Sequence, residues 1–207
     1  MGCRGAHRVK IRGVIIAAGE SSRFGSPKAL LNIHGRSILD RLHQTLRGGG
    51  CDEVMVVAGG THCAAVQEEA HRIGTPLVIN HDPSDGPVSS IRTAVAVAGQ
   101  WDAMLIHPVD VIGVRKSDVE QLTRVARQSP PRFDAWIISH AMRRGHPVIV
   151  TRDKIETLLQ ADGPQHLRAL FALPDLMVDH VVTENPLVLE DVDDLADWIR
   201  VSALIEE

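Results

Sequence analysis

Apolar positions along the chain follow two alternating periods. Short β-branched runs at residues 14–17, 54–58, 77–80 and 104–107 predict buried strands, and stretches of helical spacing come after them. The first helix is the clearest. Ser37 caps it, Ile38, Leu39, Leu42 and Leu46 repeat along one face, and Gly48, Gly49 and Gly50 end it. The same spacing predicts helices over 66–73, 90–98 and 117–127. Farther on, strands fit 135–139 and 147–150, and the charged stretch Arg143, Arg144, Gly145 predicts the turn of an antiparallel hairpin between them. Helices over 154–159 and 165–173, a strand over 177–182 and an amphipathic helix over 192–205 complete the pattern.

Strands alternating with helices imply βαβ units with right-handed crossovers. The expected fold is therefore α/β, a three-layer Rossmann-like arrangement with a mostly parallel sheet and a small antiparallel insertion. No linker or repeat breaks the pattern, so residues 13–207 are expected to form a single domain behind a flexible N-terminal extension over 1–12. Ligands in such sheets bind beyond the carboxyl ends of the strands, which directs the loops after Ala17, Asn80 and His107 toward one crevice.

Composition narrows the partners. With 44% hydrophobic residues in 207, the chain can bury a substantial core, yet no apolar run approaches the ~20 residues of a spanning helix, so no membrane is expected. Lys and Arg total 22 against 26 Asp and Glu, and aromatics make up 3% with no Tyr, which argues against nucleic acid and for a small-molecule partner. The basic stretch over 4–12 reads as a solvated terminus, with a nucleic-acid arm as the alternative. Cys3, Cys51 and Cys63 show no Cys-x-x-Cys spacing, which suits free thiols in the cytoplasm, and the eleven histidines show no zinc-site spacing.

The loop after the first strand reads Ala17-Ala18-Gly19-Glu20-Ser21-Ser22-Arg23-Phe24-Gly25-Ser26-Pro27-Lys28. Its glycines let the backbone turn tightly and bring N–H groups against phosphate oxygens, and Arg23 and Lys28 add two cations. Those features suit a triphosphate; the other reading is a solvated Gly/Ser turn. The loop has neither the Gly-Lys-Ser/Thr of a Walker A sequence nor the glycine spacing of dinucleotide folds. Its pattern, Ala-Ala-Gly-x-Ser-x-Arg-x-Gly-x-x-Lys, resembles the signature of the molybdenum cofactor nucleotidyltransferases (MobA/MocA-like NTP transferases), especially their cytidylyltransferase branch.

The resemblance implies Mg²⁺-dependent transfer of a nucleoside monophosphate, CMP from CTP by preference, to a phosphorylated acceptor such as molybdopterin, with a molybdenum enzyme as the protein partner. It makes Ala17, Ala18, Gly19, Glu20, Ser21 and Ser22 the nucleotide cradle, and Arg23, Lys28 and Asp110 the catalytic set. Ala18 stands where guanylyl-transferring relatives usually carry Gly. Asp110 matches a metal-binding Asp, although Ile112 replaces the family's proline. Asn80, Gly86, Ser89 and Ser90 match a segment that contacts base and ribose, with Pro87 and Val88 departing from it; a serine there also suits a helix cap.

Gly145, His146 and Pro147 are similar to the family's acceptor-binding Gly-His-Pro-Val. Glu190 aligns with a second metal ligand, with Asp191 or Asp193 as substitutes, while a helix N-terminus also favours such acidic residues. Two other functions stay open. One is transfer to a sugar or polyol phosphate; the other is a nucleotide- or cofactor-binding maturation module without catalysis, suggested by Ile112 and the altered acidic stretch.

Overall fold

The computed structural model describes residues 8–19, 24–129 and 132–205. β1 (Ile11–Ala17) leads through a small hairpin of β2 (Asn32–Ile33) and β3 (Arg36–Ser37) into α1 (Ile38–Gly48). β4 (Glu53–Gly59), α2 (Cys63–Arg72), β5 (Leu77–Asn80), α3 (Pro87–Val95) and β6 (Ala103–Pro108) continue the alternation. Next come α4 (Lys116–Gln128), β7 (Ala135–His140), β8 (Arg143–Thr151), α5 (Arg152–Leu158), α6 (Leu167–Leu170), β9 (Val178–Val182) and α7 (Leu195–Ser202). Seven strands form one sheet in the order β5-β4-β1-β6-β8-β7-β9. Among the described residues β8 is its antiparallel member, paired that way with both β6 and β7. The fold is thus the mostly parallel α/β sheet with an antiparallel insertion that the sequence predicts.

Strand residues are apolar on both faces because helices cover both. Ile15, Val56 and Leu105 pack with Leu42 and Leu46 of α1, Val66 of α2, Leu122 of α4 and Val201 of α7. Val14, Val57 and Ile106 pack on the opposite side with Ile91 of α3, Ile155 of α5 and Leu170 of α6. Consecutive strand residues alternate between these clusters, as a period of two requires. Ser37 Oγ accepts from the Asp40 N–H at 3.1 Å, the predicted cap of α1.

One expectation of handedness fails. α1 and α4 lie on the same face, yet the chain crosses the sheet leftward from β1 to β4 and rightward from β6 to β7, so the two connections have opposite hands. What holds α4 there is its attachment to the end of α1: Thr123 Oγ1 donates to the Gly49 carbonyl at 2.7 Å, and Arg127 Nη2 donates to that of Gly50 at 2.7 Å.

Local boundaries also differ. Arg143, Arg144 and Gly145 lie within β8, and the hairpin turn is Ala141 and Met142, both at positive φ (48° and 61°). Residues of that type carry no turn signal, which is why the sequence points to the charged stretch instead. The helix expected over 165–173 contracts to Leu167–Leu170. The last helix starts only at Leu195, capped by Asp194, while Val192 is fully buried in the extended segment before it. Among the described residues no helix is long and apolar enough to cross a membrane.

β1 opens at Ile11, so Ile11 and Arg12, expected in the extension, belong to the sheet and are fully buried. The Arg12 guanidinium reaches the end of α3, where Nη1 donates to the carbonyls of Ala94 (3.1 Å) and Val97 (3.0 Å) and Nη2 to that of Ala98 (3.3 Å). Glu53 balances its charge, and the Trp101 ring lies 5.6 Å from it. These are carbonyls that a helix end leaves without partners. Arg12→Met keeps the apolar stem but strands them, and is expected to lower unfolding free energy by about 3 kcal/mol in urea denaturation; an unchanged midpoint would contradict this role.

Candidate active site

β1 and β6 are neighbours in the sheet, but the chain leaves them in opposite directions, and the segments that follow diverge. The gap between them is a cavity of about 300 Å³, lined by Ala17, Ala18 and Gly19 after β1, Lys28, Gly86 and Ser90, and Pro108 and Asp110 after β6. The three loops expected to converge do so. Glu20, Ser21, Ser22 and Arg23 lie outside the described residues.

Lys28 begins a 3₁₀ turn (Lys28–Leu30) directly after Pro27. Its Nζ lies 3.0 Å from Asp193 Oδ1 and 3.7 Å from Asp110 Oδ2, and its side chain is only 12% exposed. Asp110 sits in the turn after β6, and the Val192 N–H donates to the Asp110 carbonyl at 3.0 Å. That bond lays the C-terminal acidic segment along the Asp110 turn. Burial, and then the charges of Asp110 and Asp193, push the Asp191 carboxyl above its usual range, with Lys28 acting against them. Glu190 turns elsewhere: its Oε2 accepts from Arg200 Nη1 at 2.7 Å. The acidic partners that the fold brings to Asp110 are therefore Asp191 and Asp193.

Oxygens of Asp110 and Asp193 already share one ammonium, so the pair suits a hard cation. Among the described residues no three His, Cys, Asp or Glu side chains are grouped to hold a metal by themselves. A magnesium-type ion, typically held by one or two carboxylates together with substrate phosphates, fits such a donor set.

Of the residues expected at base and ribose, Gly86 and Ser90 line the cavity, whereas Asn80 and Ser89 are buried behind it. Asn80 Nδ2 donates to Ser89 Oγ (2.8 Å) and Ser90 Oγ (3.1 Å), its Oδ1 accepts from the Asp82 N–H (3.0 Å), and Ser89 Oγ donates to the Gly86 carbonyl (2.7 Å). This network shapes the loop before α3, whose cap position is Gly86 at φ 75° rather than a serine.

Of the residues expected at the acceptor, Gly145 and Pro147 are buried in β8. A Cβ on Gly145 would collide with the Val188 carbonyl, so this glycine serves a close backbone approach. His146 is the member of its group that senses Asp110. Beside it stands His107, fully buried, whose Nε2–H donates to the Val111 carbonyl at 2.8 Å and so clamps the turn carrying Asp110. Among the described residues the Nδ1 atoms of both rings have no hydrogen-bond partner. Burial, and then the charge of His146, push His107 down to about 3; burial also lowers His146, with Asp110 opposing.

His62 and Val66 also line the cavity, from the end of β4 and from α2. The sequence reading passed over them. Because β4 runs parallel to β1, the loop after it reaches the same edge, and the adjacent Gly59 and Gly60 were its signal.

A lysine and paired carboxylates meet around one cavity at the carboxyl edge of an α/β sheet, an arrangement that suits phosphoryl chemistry. The chain belongs to the MobA-like NTP transferase family, whose domain profile matches residues 13–181. It is 30% identical over 201 residues to nicotine blue oxidoreductase of Paenarthrobacter nicotinovorans, covering 92% of this chain and 96% of the relative. It is 26% identical over 171 residues to molybdenum cofactor guanylyltransferase of Xanthomonas euvesicatoria pv. vesicatoria (83% and 82% covered). Rv0371c of Mycobacterium tuberculosis H37Rv shares the fold, with a TM-score of 0.80 at 24% identity over 94% of this chain and 99% of that one.

A histidine held uncharged by burial makes the fold acid-sensitive. The folded pKa of His107 lies below the unfolded value of 6.5, so its stabilising contribution is complete above pH 6.5 and is lost as pH falls toward about 3. The loss approaches about 1.4 kcal/mol per pH unit. His107→Gln, which can still donate to Val111, is expected to remove this component from urea denaturation measured between pH 7 and pH 4. Parallel acid profiles for the two proteins would show that His107 does not bury an uncharged ring.

Proposed function

We propose that the chain transfers a nucleoside monophosphate from an NTP, CTP by preference, to the phosphate of a molybdopterin-type acceptor, releasing pyrophosphate. The observation that supports this most is the meeting of Lys28, Asp110 and Asp193 at a cavity floored by the turn after β1. On this reading the backbone at Ala17, Ala18 and Gly19, continued by Glu20, Ser21 and Ser22, cradles the triphosphate. Gly86 and Ser90 face base and ribose, with Asn80 and Ser89 fixing their loop. His146 stands on the acceptor side of Asp110. Asp110 and Asp193, in place of Glu190, hold the divalent ion, Mg²⁺ on this reading, which neutralises charge between phosphates when bound. The manganese complex of the structural neighbour Rv0371c supports a divalent ion on this scaffold.

The chemistry asks little of a general base. A phosphomonoester with a second pKa of about 6 is already largely dianionic at neutral pH. Its oxygen attacks the α-phosphorus in line, the new P–O–P bond forms as the α–β bridge breaks, and the electron pair leaves with pyrophosphate. Lys28 and Arg23 stabilise the departing charge.

Ala18 supports the pyrimidine donor. Ala18 lines the cavity at the position where guanylyl-transferring members of the family usually carry glycine. The guanylyltransferase relative makes GTP the competing donor to test. The name of the Paenarthrobacter relative favours a second reading, an oxidoreductase, in which substrate would be reduced or oxidised without pyrophosphate release.

Pyrophosphate release with CTP, GTP and UTP, each with and without molybdopterin or a panel of sugar phosphates, tests the proposal. Release that depends on molybdopterin and a divalent ion supports it; absence of release with every donor and acceptor defeats it. Lys28→Ala is expected to lower kcat about a hundredfold or more with an unchanged melting curve. Ala18→Gly is expected to shift the CTP-to-GTP ratio of kcat/KM toward GTP, and an unchanged ratio would remove Ala18 from donor selection.

A further inference from the structure

Lys28 and a divalent cation are candidates for the same two oxygens. The ammonium lies within ion-pair distance of Asp193 Oδ1 and Asp110 Oδ2, and its four-carbon stem is largely sheltered. Asp191 adds a third carboxylate to the same acidic segment, two residues before Asp193. The cluster therefore needs a positive charge, and Lys28 supplies one. A divalent ion seated on the same oxygens would meet the ammonium as a like charge at short range. The two cations compete for the same carboxylates.

Backbone geometry decides which part of Lys28 can move. The Leu30 N–H donates to the Pro27 carbonyl at 2.9 Å and the Leu31 N–H to that of Lys28 at 3.2 Å, so the 3₁₀ turn pins the Cα. The side chain, by contrast, has four rotatable bonds and borders the cavity in which the nucleotide is proposed to lie. A polyphosphate there offers the ammonium a new set of negative oxygens.

We propose that Lys28 is the resident counter-cation of the nucleotide-free site, holding the Asp110 and Asp193 oxygens until a nucleotide draws its ammonium away and a divalent ion takes its place. The inference rests on the reading of this cavity as a nucleotide site. Its consequence is an order of entry: the metal arrives with the nucleotide or after it, and binds the free protein poorly. Lys28 thus opposes metal binding before the nucleotide arrives and assists phosphate chemistry afterwards.

Mn²⁺ binding measured by calorimetry on the intact chain, without nucleotide and with saturating CTP or GTP, separates the two ideas. Lys28→Met, which keeps the stem and loses the charge, is expected to bind Mn²⁺ about tenfold more tightly than wild type in the absence of nucleotide. Lys28→Arg, which keeps the charge, is expected to return affinity to the wild-type level. Wild type is expected to gain Mn²⁺ affinity when nucleotide is added, and Lys28→Met to gain less. Equal or weaker Mn²⁺ binding by Lys28→Met without nucleotide overturns the counter-cation role while leaving the nucleotide reading standing. Absence of Mn²⁺ binding by wild type even with nucleotide overturns both.

Discussion

The divergence of the chain after β1 and β6 is the constraint on which the site depends. The two strands are hydrogen-bonded from Ile11 to Ile16, then their continuations part, one toward β4 and the other toward β7. Backbone amides of the first loop and the carboxylate of Asp110 are thereby set on opposite walls of one gap. Rigid strands buried on both faces hold those walls apart, so the loops carry the chemistry and the sheet carries the spacing.

Charge balance within that gap is tight. Asp110, Asp191 and Asp193 crowd together, with Lys28 as a nearby cation, and burial disfavours the protonated forms of His107 and His146 nearby. An uncharged His107 can clamp the Asp110 turn through Val111 without competing for its carboxylate. The net negative character of this wall favours a cation, and the backbone at Ala18 and Gly19 borders the same cavity.

Much of the architecture was legible in the sequence because most elements bury apolar residues at their own period. β4, β5, β6, α1 and α4 fall close to where the pattern puts them, and the loop signature gave the family to which the chain belongs. The rest failed where a residue's partner lies far along the chain. Arg12 reads as part of a solvated basic stretch until the end of α3, over eighty residues away, supplies its carbonyls. Glu190 aligns as a ligand, but Arg200, one helix later, captures it. The turn at Ala141 and Met142 has no glycine or asparagine to announce it, since the strand pairing on either side imposes the left-handed backbone. Asn80 and Ser89 were legible as a motif but not as a framework, a distinction that only their hydrogen bonds draw.

The bond from the Val192 amide to the Asp110 carbonyl joins the middle of the chain to its final segment. Two segments far apart in the sequence are thereby spliced into one wall. A change that loosens the stretch around Val192 is felt at the Asp110 turn as directly as a change within the turn itself.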